Sequence, residues 1–273
     1  MTTLQRYPNL DILPAETISL HEHHDPQRTM PLISRIKNSG ILYNPPLVIP
    51  IQGDPIRYMV LDGANRVTAM KEMGLPHLLA QIVDPESPGM GLQTWNHVLW
   101  KIEPDRLLKE IEAIDEISLE AVSEPNFSSQ SLAFLELPDQ RRYSLTTSSP
   151  GRRSEIITKL VRMYSQVSLY DRTMIEDING VDGYYDQLAG LIIYPPFSVS
   201  EVIQFSREEK LLPAGITRFI VSPRALRLNY PLERLASDRS LQEKREELQR
   251  FIQERMEKKG VRIYTETTIL YDE

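Results

Sequence analysis

The spacing of apolar residues changes period within residues 58–74, and that change is the clearest structural signal in the chain. Residues 58–61 form an apolar run that reads as a buried strand, and Asp62 and Gly63 break it. Ala64, Val67, Met70 and Met73 then recur at helical spacing until Gly74 supplies a stop signal. The same reading extends in both directions. Before residue 20 a short alternation punctuated by Pro8 and Pro14 predicts an opening strand or arm. Asp25 and Pro26 have the form of an N-cap followed by proline in the first turn, and Leu32, Ile33 and Ile36 give a helix that ends at Gly40. Residues 47–51 predict a strand, 52–55 a turn, and 77–83 a further strand.

Residues 85–91 read as a flexible break, and 94–100 as a strand or a lid carrying Trp95, His97 and Trp100. A helix starting near Asp105 presents Leu107, Leu108, Ile111 and Ile114. Runs at 132–137 and 142–146 flank Pro138, Asp139 and Gln140 as a hairpin would. Ile156, Ile157, Leu160, Val161 and Tyr164 mark a helix, followed by a strand at 188–194 and a short helix at 200–205. A strand opens at Thr217 just after Gly215, a glycine that permits close backbone approach. Residues 238–259 form a long charged helix with Leu241, Leu248, Phe251, Ile252 and Met256 on its packed side. Val261, Ile263, Thr265, Thr267, Ile269 and Tyr271 alternate as a final strand. The intermixed elements predict an α+β fold: an N-terminal α/β domain over residues 1–90, packed with a second mixed α/β domain over 91–273.

With 273 residues, 41% of them hydrophobic, the chain has enough apolar surface for one large core or two ordinary ones. The absence of cysteine removes disulfides, thiolate metal sites and cysteine nucleophiles together. No apolar run approaches the roughly 18 residues needed to cross a membrane, and residues 1–8 lack the order of an export signal, so a cytoplasmic protein is expected. A net charge of −7 argues against broad, nonspecific nucleic-acid binding while leaving room for a local basic patch. No helix-turn-helix pair is evident.

Chemistry concentrates at three places. At the 62–66 corner, a helix start aims unpaired N–H groups at whatever lies above it, and Arg66 adds a fork of donors suited to phosphate. An ordinary capped helix with a solvated arginine fits the same residues. Asp62 suits Mg2+, directly or through water, and equally suits a simple helix cap. At residues 21–24, Glu22 is a candidate general base. Its neighbours His21, His23 and His24 invite a zinc reading in which His23 or His24 could pair with His77 or His97, although the spacing matches no zinc motif and favours structural or solvated histidines. Trp95 and Thr217 could shape a small-substrate pocket and Arg218 could grip a carboxylate or phosphate; core and surface roles fit them too. The turn at 148–153 matches no phosphate loop, and no G-x-G-x-x-G segment occurs.

Asp62, Gly63, Arg66 and Ala69 form a D-G-x-x-R-x-x-A pattern that resembles the ParB and sulfiredoxin-like superfamily, whose members use this turn to hold nucleotide phosphates. With His21 and Glu22 before the first helix, and residues 212–218 in the second half, the chain is most similar to the free L-serine kinases of that superfamily, including the siderophore-associated type. The resemblance implies a ParB/sulfiredoxin-like nucleotide-binding domain whose neighbour completes the substrate site. It implies ATP or ADP with Mg2+, held at Gly63, Ala64, Asn65, Arg66 and Asp62, and free L-serine as acceptor. Glu22 becomes the base, Asp62 an acidic active-site residue, and Trp95, Thr217 and Arg218 substrate-side groups. Asn65 departs from relatives that carry histidine before the signature arginine, and the lack of cysteine excludes sulfiredoxin-type repair. The alternative is a nucleotide-responsive regulator or DNA-binding adaptor of the ParB-like class, and the terminal helix could pair two copies as a homodimer.

Overall fold

The computed structural model describes residues 7–24, 26–52 and 56–264, and every element and contact named below belongs to them. The N-terminal lobe contains β1 (Asn9–Pro14), β2 (Ile18–Ser19), α1 (Pro26–Ser39), β3 (Ile41–Leu42), β4 (Leu47–Ile51), β5 (Arg57–Asp62), α2 (Ala64–Glu72) and β6 (His77–Ile82). Among the described residues five of these strands form a mixed sheet in the order β1-β6-β4-β5-β2. Its outer strand β2 runs parallel to β5, with Ile18 opposite Tyr58 and Ser19 opposite Met59.

Both faces of this sheet are covered, which is why β4 and β5 read as nearly continuous apolar runs. Successive side chains point to opposite faces. Leu47, Ile49, Ile51, Met59 and Leu61 enter the larger core, shared with the second lobe. Val48 and Val60 enter another core with Ile36 of α1 and Val67 and Met70 of α2.

The second lobe contains β7 (Met90–Thr94), β8 (Asn96–Trp100), α3 (Pro104–Glu112), β9 (Ser118–Ala121), β10 (Ser131–Glu136), β11 (Arg142–Thr146), α4 (Arg153–Val167), β12 (Leu169–Thr173), β13 (Leu188–Ile193), α5 (Val199–Arg207) and β14 (Thr217–Val221). Six of them make an antiparallel sheet in the order β12-β8-β13-β10-β11-β9, while β7 and β14 pair as a separate ribbon. The 94–100 segment is therefore divided: Thr94 ends the ribbon, Asn96 begins the sheet, and Trp95 lies at the joint. The expected break at 85–91 is shorter, because β7 already starts at Met90.

The chain then returns to its beginning. In β15 (Tyr230–Pro231), α6 (Leu232–Ala236) and α7 (Leu241–Glu257), the residues Tyr230, Leu235 and Leu248 are wholly buried in the core beneath β1, β4 and β6. Arg245 of α7 pairs with Asp11 of β1 at 2.9 Å. Ser240 and Glu243 close a capping box at the start of α7, satisfying two helix-end donors reciprocally. Packing thus crosses the boundary expected at residue 90. The expected final strand is corrected at its start: residues 261–264 form no strand and are exposed, while 265–273 lie outside the described residues. Asp25 and residues 53–55, read as a cap and part of a turn, also lie outside them. Among the described residues no helix is long and apolar enough to cross a membrane.

Candidate active site

Parallel pairing of β2 with β5 sets the site. Continuing the register past Ser19 brings His21 level with Leu61 and Glu22 level with Asp62, at the carboxyl ends of both strands. His21 Nδ1 lies 2.5 Å from the Val60 carbonyl oxygen, in keeping with that register. On the other side of this segment, Leu212 N–H donates to His21 O at 2.9 Å and His23 N–H donates to Leu212 O at 2.8 Å. Glu22 is therefore pinned between the N-terminal sheet and the loop that precedes β14.

Its carboxylate is held by that loop. Gly215 N–H donates to Oε2 at 2.8 Å, while Thr217 N–H and hydroxyl approach Oε1 at 2.6 and 2.5 Å. The side chain keeps 13% of its surface exposed, enough to meet a small substrate. His21, only 3% exposed, places Nε2 at 2.7 Å from the same Thr217 oxygen. Burial pushes the His21 imidazole below its usual range; the Glu22 carboxylate, the Val60 carbonyl and the Asp62 carboxylate pull partly the other way.

Gly215 can reach Glu22 because its backbone is left-handed, at φ +83°, and because it has no side chain: a Cβ there would lie 2.0 Å from Arg172 Cζ. From behind, His97 Nε2 sits 3.2 Å from Gly215 O while its Nδ1 meets the Tyr164 hydroxyl. Burial drives His97 down to about 4 and Arg172 adds to it, against the Gly215 carbonyl and Asp171, so the ring is neutral near pH 7.

At the carboxyl end of β5, Gly63 takes φ +97° and begins α2. A Cβ at Gly63 would stand 3.0 Å from Pro46 Cβ and 3.1 Å from Arg66 Cζ. Asp62 does not cap the helix. Its carboxylate instead meets Arg66 at 3.1 Å and the Arg224 guanidinium. Burial would raise the Asp62 carboxyl, but the charges and hydrogen bonds of Arg66 and Arg224 outweigh it and hold the group below the usual carboxylate range. Arg66 also donates to Asn44 O at 2.7 Å and Pro45 O at 3.2 Å, so its fork fastens the loop before β4 as well. Ala64 and Asn65 follow in the first turn, where Thr29 of α1 donates to Asn65 Oδ1 at 3.3 Å.

The structure thus brings together Glu22, Thr217, Asp62 and the 63–66 helix start. Trp95 and Arg218 lie apart from Glu22. Strand alternation turns Arg218 to the face opposite Thr217, where its guanidinium stacks 4.8 Å from the Trp95 ring and donates to Gln93 at 3.0 Å. The histidines do not gather: His77 lies beside Lys244, His97 stands behind Gly215, and among the described residues no group of His, Cys, Asp and Glu converges as a metal-binding set. Sequence reasoning missed Arg224 and the grip of His97 on Gly215, neither of which carries a local signal. His21 was legible beside Glu22 and as a metal-ligand candidate, but its contact with Thr217 was not.

No protein-family model matches the chain. It is 27% identical over 276 residues to the ATP-dependent L-serine kinase SbnI of Staphylococcus aureus, spanning 98% of each protein. It is also 36% identical over 75 residues to an ATP-dependent L-serine kinase of Staphylothermus marinus, 28% of this chain and 29% of that one. Among solved structures, SbnI with a C-terminal truncation superposes with a TM-score of 0.73 at 24% identity, covering 94% of this chain and all (100%) of that one. A free serine kinase in complex with AMP superposes with a TM-score of 0.68 at 14% identity, covering 86% and 97%. The chain is thus a homologue of SbnI and carries the mixed α/β, ParB/sulfiredoxin-like fold of the free serine kinases.

Proposed function

We propose that the chain is a small-molecule kinase that transfers the terminal phosphate of ATP or ADP to the hydroxyl of free L-serine, giving O-phospho-L-serine. The observation that carries this reading is the placement of Glu22. It is a fixed carboxylate at the end of one strand, level with a phosphate-suited helix start at the end of the next. Similarity to SbnI along nearly the whole chain supports the same reaction, and free serine kinases of the same fold solved with AMP and ADP support a nucleotide as ligand.

In this reading Glu22 accepts the serine hydroxyl proton as the oxygen attacks the terminal phosphorus. The backbone N–H groups of Ala64, Asn65 and Arg66 face the phosphates, and the Arg66 and Arg224 guanidiniums lie within the same cluster to balance their charge. Thr217 serves Glu22 rather than the serine, while Trp95 and Arg218 brace the β7–β14 ribbon from its far face. Asp62 is engaged by Arg66 and Arg224, and among the described residues no three or more of His, Cys, Asp and Glu converge, which fits Mg2+ held mainly by nucleotide phosphates and water, not by a resident protein cage. When bound, Mg2+ would supply neutralisation of the phosphate charge.

The test is to incubate the protein with L-serine, Mg2+ and either ATP or ADP, and to follow phosphoserine by phosphorus NMR or mass spectrometry. Phosphoserine is expected from at least one donor. None from either overturns the assignment.

A further inference from the structure

The Thr217 hydroxyl has one hydrogen and stands between two acceptors. Its oxygen lies 2.5 Å from Glu22 Oε1 and 2.7 Å from His21 Nε2. The Val60 carbonyl can only accept, so the hydrogen of a neutral His21 ring sits on Nδ1 and Nε2 presents a lone pair. With Glu22 ionised and His21 neutral, a single hydrogen must serve both short contacts, and one of them faces lone pair to lone pair. One added proton satisfies everything. It can rest on Glu22, which donates to Thr217, which donates to His21; or it can rest on His21 Nε2, which donates to Thr217, which donates to Glu22. The cluster is built for one more proton than its resting groups carry, and a general base receives one in each turnover.

Resting on the serine-kinase reading, we propose that Thr217 and His21 form a relay that carries onward the proton Glu22 removes from the substrate hydroxyl. As the serine oxygen bonds to phosphorus and the bond from phosphorus to the departing nucleotide oxygen breaks, the serine proton passes to Glu22. Thr217 gives its own hydrogen to His21 Nε2 and takes the proton from Glu22. Glu22 is ionised again, Thr217 is unchanged and His21 is an imidazolium. The proton returns to solvent when product leaves. His21 acts only through Thr217: it is buried behind Glu22, edge-on to the Phe219 ring at 5.4 Å. Burial disfavours the imidazolium, while the nearby Glu22, 3.8 Å away, and Asp62 favour it. The state is therefore suited to brief occupancy.

Single-turnover rates of the full chain in mixtures of H2O and D2O test the relay. In the wild type the rate should curve against deuterium fraction, as two hydrogens move in one step. Thr217→Val keeps the shape and removes the hydroxyl; it should slow the step by roughly ten- to a hundredfold, straighten the plot and leave nucleotide binding within about twofold. Thr217→Ser should restore both rate and curvature, which a purely structural role for the hydroxyl would not require. A straight plot in the wild type overturns the relay without any variant. So does a folded Thr217→Ser protein that behaves like Thr217→Val. In both cases wild-type turnover leaves the kinase reading standing, whereas a wild type that makes no phosphoserine overturns both.

Discussion

Glu22 is asked to do two things at once, and they can be separated by substitution. Its two oxygens accept from three donors on Gly215 and Thr217, so it fixes a loop while it waits for a substrate proton. Glu22→Gln keeps the length and one acceptor oxygen but turns the other position into a donor facing an N–H. Turnover is expected to fall by roughly a hundred- to ten-thousandfold, while nucleotide affinity, measured by calorimetry, stays close to that of the wild type. A parallel loss of nucleotide affinity would mean that the glutamate serves the phosphate site instead. His21 and Glu22 were legible as a pair because they are adjacent in sequence. Their partners were not, because Gly215 is separated from Glu22 by 193 positions and Arg224 from Asp62 by 162. No local pattern encodes contacts of that range.

Among the elements, the 212–217 loop is the most constrained part of the site. Gly215→Ala combines an unfavourable left-handed backbone, worth about 1–2 kcal/mol, with a methyl group in the space of the Arg172 guanidinium. The loop must move, and with it the donors that hold Glu22. The variant should lose about tenfold or more in turnover, with a melting temperature lower by only about 3–8 °C; calorimetric melting beside a serine assay checks both. The elements that the sequence disclosed are those whose burial imposes a period. The β5–α2 corner is one, because Met59, Val60 and Leu61 fill two cores and Val67 and Met70 fill one. β9 and β12 stayed hidden because their residues are mostly half-buried or exposed, Leu169 at 54%, so no alternation marks them. Alternation misled after Gly260, where Val261 and Ile263 face solvent.

At the scale of the molecule, buried neutral histidines tie stability to pH. His97 has a reference value of 6.5 and is driven to about 4 in the fold, chiefly by burial. Between those values the unfolded chain binds a proton that the folded chain refuses. The contribution is present above pH 6.5 and disappears as pH falls to about 4, a loss of about 3 kcal/mol. His21 and His23 shift in the same direction. Urea unfolding at pH 7 and pH 4.5 should show this loss, and His97→Gln should shrink the difference; an unchanged difference would assign it elsewhere. The return of α7 to the first sheet has another consequence, one that belongs to synthesis on the ribosome. Strands β8 to β13, with α3 and α4, are continuous in sequence and can assemble as soon as they emerge. The sheet made before them cannot finish. Val48, Val60 and Leu78 wait for Tyr230, Leu235 and Leu248 to cover their core. At about 5–20 residues per second that interval lasts roughly ten to thirty seconds, during which the earliest part of the nascent chain remains the last to close.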